Sequence, residues 1–238
     1  MIINKIWLWR WDRFTRYNPV IEYLHNKYGT GNVSILEVGS GDYSASLYNG
    51  YVVDGMDLIK PKNPLAVRKF YNESIVDTNI KDNQYDIVIC VDTLEHIPKN
   101  QRQIALDKMV QISKKEVLLV YPSGDKATKL DSELYTYYQK HIGKHHRWFQ
   151  EHLEFGLPSD LELDHYVSLI TKKGKAVRAN KRNITDIHKL RLYSKFMMSK
   201  SYFRFLFKNK LLYIFNRFFG ALIGSGNYYR RFVIINVE

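Results

Sequence analysis

Short apolar runs alternate with helix-like segments along most of this chain. Continuous apolar runs bounded by polar residues predict buried strands, at residues 33–38, 50–57, 85–91, 116–121 and 231–237. Weaker runs predict two further strands, at residues 66–71 and 161–170. Helix-like patterns lie between them, at residues 43–48, 98–112, 130–141, 186–198 and 201–223. Strands that alternate with helices predict an α/β fold with a doubly wound, mainly parallel sheet.

Two segments do not follow this alternation. Residues 1–30 predict an N-terminal helical segment, in which Asn18 and Pro19 mark a helix start and Gly29 its end. Residues 171–227 form a basic insert, whose first part (171–184) lacks periodicity and predicts a loop before two helices. Residues 1–238 are therefore predicted to form one domain with a helical insert before the last strand.

The first strand runs into a tight turn at Glu37-Val38-Gly39-Ser40-Gly41. Ligands of open α/β sheets bind at the carboxyl ends of the strands, which is where this turn should lie. A dinucleotide site needs a third glycine where this chain has Ser44, and the carboxylate of Glu37 would repel a pyrophosphate. The turn therefore favours a positively charged ligand without phosphates, and a purely structural corner is the alternative.

Two motifs resemble those of class I S-adenosylmethionine-dependent methyltransferases. Residues 37–41 resemble the first motif of that family, and Leu94-Glu95-His96-Ile97 resembles the signature after its fourth strand. The resemblance covers about residues 33–122. It implies a Rossmann-like, seven-stranded sheet with one antiparallel strand, for which we predict residues 232–237, and S-adenosylmethionine as the cofactor.

The same resemblance implies which residues hold the cofactor. Glu37 would act at the methionyl end. Asp57 follows the second strand at a spacing at which an acid binds ribose hydroxyls, although it could also cap a loop. Ser74 stands where the family often has an aspartate that contacts adenine. The full predicted set is Glu37, Gly39, Ser40, Gly41, Asp57, Ser74, Ile75 and Asp92.

Histidines are the candidate catalytic residues. A hydroxyl acceptor must lose a proton during methyl transfer, and a positioned histidine can take it. His145 and His146 are predicted to border the substrate, and His96 follows the fourth strand; each could equally be a structural residue. His141 and His145 have a spacing that could bind a metal, but no nearby acid pair completes such a site. No metal is predicted.

Charge and cysteine usage add further limits. The net charge is +12 over 238 residues, and the basic residues concentrate after residue 171, which suggests an anionic partner. A single cysteine, Cys90, excludes a disulfide framework and fits a reducing compartment. No signal peptide is evident, and no apolar run is long enough to span a bilayer. We therefore expect a cytoplasmic protein, with peripheral membrane contact as an option.

These observations predict a methyltransferase that acts on a small-molecule or glycan acceptor. The end of the chain (228–232) and the basic insert resemble methyltransferases of glycan assembly, which implies O-methylation of a saccharide or lipid-linked glycan. Residues 196–223 could contact an anionic membrane. The alternatives are an RNA methyltransferase, with nucleic acid as the second choice of partner, and a non-catalytic binding or scaffold protein on the same fold.

Overall fold

The computed structural model describes residues 11–29, 32–41, 51–61, 68–175, 177–198 and 226–237. The strands are β1 (Ser34–Val38), β2 (Val52–Met56), β3 (Phe70–Tyr71), β4 (Tyr85–Val91), β5 (Ser113–Pro122), β6 (Val177–Asp186) and β7 (Tyr228–Val237). The helices are α1 (Trp11–Tyr28), α2 (Arg102–Ile112), α3 (Asp125–Ile142), α4 (Arg147–Phe155), α5 (Asp160–Lys172) and α6 (Ile187–Met198).

The seven strands form one sheet in the order β3-β2-β1-β4-β5-β7-β6. Strands β1 to β5 pair in parallel, whereas β7 pairs antiparallel to both β5 and β6. The predicted Rossmann-like, mainly parallel, seven-stranded fold is confirmed, and so is the antiparallel orientation of the last strand. Because β1 to β5 run in parallel, their carboxyl ends meet at one edge of the sheet.

Both faces of the sheet are covered. Alternate strand residues point to opposite faces, so Leu36 and Val88 pack with α2 and α5, whereas Ile35 and Ile87 pack with α1. These strands are buried on both faces, which explains their continuous apolar sequence. A third cluster joins α1, α3 and α6 at the carboxyl edge of the sheet.

The strand predicted at 161–170 is wrong, because these residues belong to helix α5. Its apolar residues Leu163, Val167 and Ile170 follow a helical repeat and pack on the sheet. The Ser159 hydroxyl accepts a hydrogen bond from the Glu162 amide, at 3.1 Å, and so caps the helix. Short apolar runs do not distinguish strand from buried helix, and here the cap decides the structure.

The loop predicted at 171–184 is also wrong, because residues 177–186 form β6. This strand lies at the sheet edge and pairs with β7 from Val177 opposite Val237 to Asp186 opposite Tyr228. Charged residues are common on edge strands because they discourage pairing with other chains. The basic composition that suggested a loop is therefore compatible with a strand, and the segment 171–227 is not helical throughout.

Helix α1 differs from its prediction at its start. It begins at Trp11, and Pro19 lies inside it rather than at its first turn. A proline inside a helix costs about 3 kcal/mol, but buried apolar residues on both sides of Pro19, among them Phe14, Tyr17 and Leu24, favour one continuous helix. The predicted end at Gly29, which has φ +59°, is confirmed.

Some predictions fall on residues outside the described ranges. These are the helices at 43–48 and 201–223, residues 1–10 of the N-terminal segment, most of the proposed membrane contact at 196–223, and residues 66–67 of the third strand. Within the described ranges, no helix combines the length and apolar character needed to cross a bilayer.

Candidate active site

A cavity of about 1080 Å³ opens at the carboxyl edge of the sheet. Its lining includes the turns after β1 and β2, helix α4 and the segment after β4. Helices α1, α3 and α6 contribute the remaining walls. The predicted turn at residues 39–41 therefore borders a space large enough for two small ligands side by side.

The glycine corner after β1 is shaped by its backbone. Gly39 and Gly41 have φ values of +72° and +52°, which residues other than glycine rarely adopt. The Gly39 amide donates to the Met56 carbonyl at 2.8 Å, which ties the turn to β2. A Cβ atom on Gly39 would lie 2.0 Å from Thr93 Oγ1, so this position also needs glycine for space.

The carboxylate of Asp57 is fixed beside this corner. Its Oδ2 accepts from the Gly41 amide at 3.0 Å, and its Oδ1 accepts from the Ile59 amide at 3.1 Å. Ser74 and Ile75 line the next part of the wall, together with Glu73, which the sequence analysis did not select. The turns after β1 and β2 and the segment after β3 thus form a continuous surface.

The wall formed by α4 and the segment after β4 carries histidines paired with carboxylates. His152 on α4 is buried, and its Nδ1 lies 2.8 Å from Asp131 Oδ2. The Tyr229 hydroxyl donates to Asp131 Oδ1 at 2.6 Å. His96 Nδ1 lies 2.8 Å from Glu151 Oε2. Asp131 therefore orients the His152 ring through a hydrogen bond, whereas the His96 contact with Glu151 is a close approach without hydrogen-bond geometry.

Burial and neighbouring charges perturb the titration of this wall. Burial and the neighbouring His152 lower the pKa of His96 to about 4. Burial and the Asp92 carboxylate raise the pKa of Glu95 to about 8. Burial opposes protonation of His152, but Asp131 and Glu95 outweigh it and raise its pKa. Such perturbed groups in a cleft are typical of functional sites.

Aromatic rings flank the histidine wall. The His146 ring lies edge-on to the Tyr138 ring, with the two ring centroids 5.0 Å apart. The His146 centroid is also 5.3 Å from that of Trp148 and 5.2 Å from that of Phe149. All four residues line the cavity, and Trp148 is largely exposed. This arrangement offers flat apolar surfaces for stacking against a second ligand.

Comparison with known proteins agrees with this geometry. Residues 36–121 match the family described as a methyltransferase domain. Over these residues the predicted resemblance to class I S-adenosylmethionine-dependent methyltransferases is confirmed. S-adenosylmethionine is the cofactor of such a domain. The sequence matches no curated protein.

Solved structures with the same fold include three with low sequence identity. The plantazolicin methyltransferase BpumL in complex with SAH has a TM-score of 0.58 at 13% identity, with 96% of this chain and 84% of that chain covered. The YcgJ protein from Bacillus subtilis has a TM-score of 0.53 at 12% identity, covering 94% and 97%. The 1,6-didemethyltoxoflavin-N1-methyltransferase from Burkholderia thailandensis has a TM-score of 0.53 at 12% identity, covering 94% and 78%. At these identities the likeness concerns the fold.

The structure brings most predicted site residues of this methyltransferase to one cavity. The predicted residues that line this cavity are Gly39, Ser40, Gly41, Asp57, Ser74, Ile75, Asp92, His96 and His146. Glu37 is fully buried and is not among the lining residues; its Oε1 accepts from the Tyr17 hydroxyl at 3.1 Å. Its contact with the methionyl group remains a prediction.

His145 does not lie where it was predicted. It is exposed in the turn between α3 and α4, outside the cavity lining, and its Nδ1 is 2.8 Å from the Tyr135 hydroxyl. The adjacent His146 faces the cavity instead. Neighbouring residues in a turn point in different directions, and only the packing of α4 against α3 selects which one faces inward.

Asp92 is engaged by two arginines from distant parts of the chain. Arg230 Nη2 lies 2.6 Å and Arg16 Nη1 lies 2.8 Å from its Oδ2. Although burial opposes ionisation, these two guanidinium groups hold the pKa of Asp92 well below its usual range. The carboxylate thus ties α1 and β7 to the end of β4, and both partners escaped the sequence analysis because no local motif marks them.

Proposed function

We propose that this methyltransferase transfers the methyl group of S-adenosylmethionine to a hydroxyl of a small molecule, with a saccharide or lipid-linked glycan as the acceptor class. The observation that carries the proposal is the histidine and carboxylate wall, which lines the same cavity as the glycine corner. A hydroxyl, unlike a neutral amine, gains from a nearby group that removes its proton.

The cofactor would occupy the side built from β1, β2 and β3. Gly39 and Gly41 let the backbone approach it closely, and Asp57 offers its fixed carboxylate to the ribose hydroxyls. Ser74 and Ile75 would flank the adenine. Methyl transfer from a sulfonium is an in-line displacement, so the main task of this side is to align the methyl carbon with the acceptor oxygen.

The acceptor would occupy the side built from α4 and the segment after β4. Trp148 and Tyr138 provide rings that can stack on a sugar. In the reaction the acceptor oxygen bonds the methyl carbon, the carbon–sulfur bond breaks, and the hydroxyl proton leaves towards the histidine wall. His96 and His146 are the predicted catalytic histidines on this wall, and His152 lines the same cavity as a third candidate.

The charge of the cavity favours a small neutral acceptor over RNA. In its lining, Arg16 and Arg230 pair with Asp92, and Arg147 pairs with Glu151. A polyanion gains most from cations that are not already neutralised. The similar 1,6-didemethyltoxoflavin-N1-methyltransferase has bound 1,6-didemethyltoxoflavin and S-adenosylhomocysteine, which supports a small molecule, though not a hydroxyl in particular, as the acceptor. Peripheral membrane contact by residues 196–223 stays a prediction.

Calorimetry with S-adenosylhomocysteine tests the cofactor side. We expect the wild type to bind it, and Asp57→Asn to weaken binding about 10- to 100-fold, because charge-assisted hydrogen bonds contribute roughly 1.5–3 kcal/mol. Asp82→Asn is the matched control, since Asp82 is exposed and lies before β4, away from the cavity. Absence of binding by the wild type would favour the scaffold alternative.

Methyl transfer assays test the acceptor class. Tritium-labelled S-adenosylmethionine would be incubated with the enzyme and with panels of saccharides, lipid-linked saccharides, amines and RNA. We expect label in a saccharide fraction that is stable to treatments that remove methyl esters. Transfer to amines or RNA alone would contradict the proposed hydroxyl acceptor while leaving the methyltransferase activity intact.

A further inference from the structure

Three side chains on the acceptor wall converge on one point. Glu95, His96 and His152, here called the His-Glu cluster, each offer one ligand atom, and these atoms all lie within 4.8 Å of one another. The His152 Nε2 atom is 3.9 Å from Glu95 Oε1. Two of the residues follow β4 and the third comes from α4, so the cluster forms only when α4 packs against that segment.

Carboxylates stand behind both histidines. Asp131 Oδ2 lies 2.8 Å from Nδ1 of His152, and Glu151 Oε2 lies 2.8 Å from Nδ1 of His96. Asp131 is itself held by the Tyr229 hydroxyl at 2.6 Å. Metal-binding histidines typically have such a carboxylate on the ring nitrogen that does not bind the metal, because it fixes the tautomer and raises ligand basicity.

The cluster also contains buried polar atoms without a hydrogen-bond partner. They include Nε2 of His152 and Oε2 of Glu95, in residues that are 8% and 1% exposed, and Nδ1 of His96. A buried polar atom without a partner costs roughly 1–3 kcal/mol. These atoms belong to residues that border the cavity, so a ligand in the cavity can satisfy them.

We propose that Glu95, His96 and His152 bind a divalent transition-metal cation, with an open coordination position towards the cavity. Two imidazoles and one carboxylate favour zinc-like ions over magnesium, which prefers oxygen ligands. Tetrahedral zinc bonds of about 2.0–2.2 Å would separate neighbouring ligand atoms by about 3.3–3.6 Å. Atoms now within 4.8 Å of one another would therefore have to approach by up to roughly 1.2–1.5 Å to enclose the ion.

The cation would act on the acceptor, and this role rests on the proposed function. A cation that binds the acceptor oxygen would lower the pKa of its hydroxyl, so that the proton passes to His146, the wall histidine that is not a ligand, before the methyl group arrives. The acceptor class narrows accordingly to hydroxyl compounds that can reach the cation, such as a sugar with neighbouring hydroxyls. Cation binding itself does not require that the acceptor be known.

Cobalt binding tests the site, because visible absorption of Co²⁺ reports its coordination by protein ligands. Chelator-treated full-length protein would be titrated with CoCl₂ and followed by absorption, then with ZnCl₂ as competitor. We expect one saturable site per chain, displaced by zinc. Glu95→Gln and His152→Gln should abolish the absorption band, and Asp131→Asn should weaken affinity about 10- to 100-fold through loss of support for His152.

His141→Gln is the matched control, because exposed His141 and His145 could form a surface site one helical turn apart. This variant should bind cobalt as the wild type does. Binding of S-adenosylhomocysteine, measured by calorimetry, shows whether each variant is folded. If His152→Gln fails to fold, the near-isosteric Glu95→Gln and Asp131→Asn variants test whether the cluster binds the cation.

The inference is overturned if the wild type shows no saturable cobalt absorption band. It is also overturned if Glu95→Gln keeps the band or if His141→Gln loses it. A chain that transfers methyl groups but shows no such band loses only this inference. A chain that binds cobalt at the cluster but does not bind S-adenosylhomocysteine loses the proposed function instead.

Discussion

Replacement of Gly39 by alanine tests how the glycine corner is built. Two costs arise at this position. A non-glycine residue at φ +72° costs roughly 1–2 kcal/mol. The new methyl group would also lie 2.0 Å from Thr93 Oγ1 and 2.7 Å from Thr93 Cβ, so Thr93 or the corner must move.

The second cost is not easily avoided. The Thr93 hydroxyl donates to the Val91 carbonyl at 3.1 Å, and the preceding residue, Asp92, is held by two arginines. Overpacking at a well-held position typically costs about 1–3 kcal/mol. Gly39→Ala should therefore destabilise the protein by roughly 2–5 kcal/mol and weaken S-adenosylhomocysteine binding.

Gly41→Ala separates the two costs, because its Cβ would meet no atom within 4 Å although its φ is +52°. Urea unfolding should show a loss of only about 1–2 kcal/mol for this control. In Gly39→Ala, the additional change Thr93→Gly should recover part of the stability, because it removes the side-chain atoms that clash. Equal destabilisation by both alanine variants, without recovery by Thr93→Gly, would refute the steric explanation.

Two further predictions concern the elements that support the cavity. Arg230→Met leaves buried Asp92 with only part of its neutralising charge, so the free energy of unfolding in urea should fall by about 3–5 kcal/mol. The control is Arg231→Met, which breaks a partly exposed pair with Asp160 and should lower it by about 1 kcal/mol or less. Similar losses in the two variants would contradict a special role for the Asp92 pair. Ser159→Ala should lower the free energy of unfolding by about 1 kcal/mol through loss of the α5 cap. Ser168→Ala, at an exposed position of the same helix, is its control. If Ser159→Ala leaves the stability unchanged, the cap is not stabilising.

Local sequence predicted the parts of the site that lie within one motif. The glycine corner, Asp57 and His96 each follow a strand that its apolar run predicts, and parallel strands bring their carboxyl ends together. The predicted strand β4 matches the structure from Tyr85 to Val91. These features depend on neighbouring residues in the chain, so the sequence pattern carries them.

Features that depend on long-range packing escaped the sequence analysis. The exposed edge strand β6 has no apolar run and is recognised only through its pairing with β7. Helix α5 carries a short apolar run that fits a strand equally well, and only its Ser159 cap and its packing on the sheet make it a helix. The choice between His145 and His146 depends on how α4 packs on α3.

The amino-acid sequence by itself determined the parallel sheet, the carboxylate-led glycine corner and the methyltransferase resemblance, because strand burial and glycine turns are set over short stretches of chain. Tertiary structure alone decided the acceptor side. His152 of α4 pairs with Asp131 of α3, and Arg230 of β7 pairs with Asp92 after β4. Each pair forms only after folding removes the charges from water and brings them within hydrogen-bond distance.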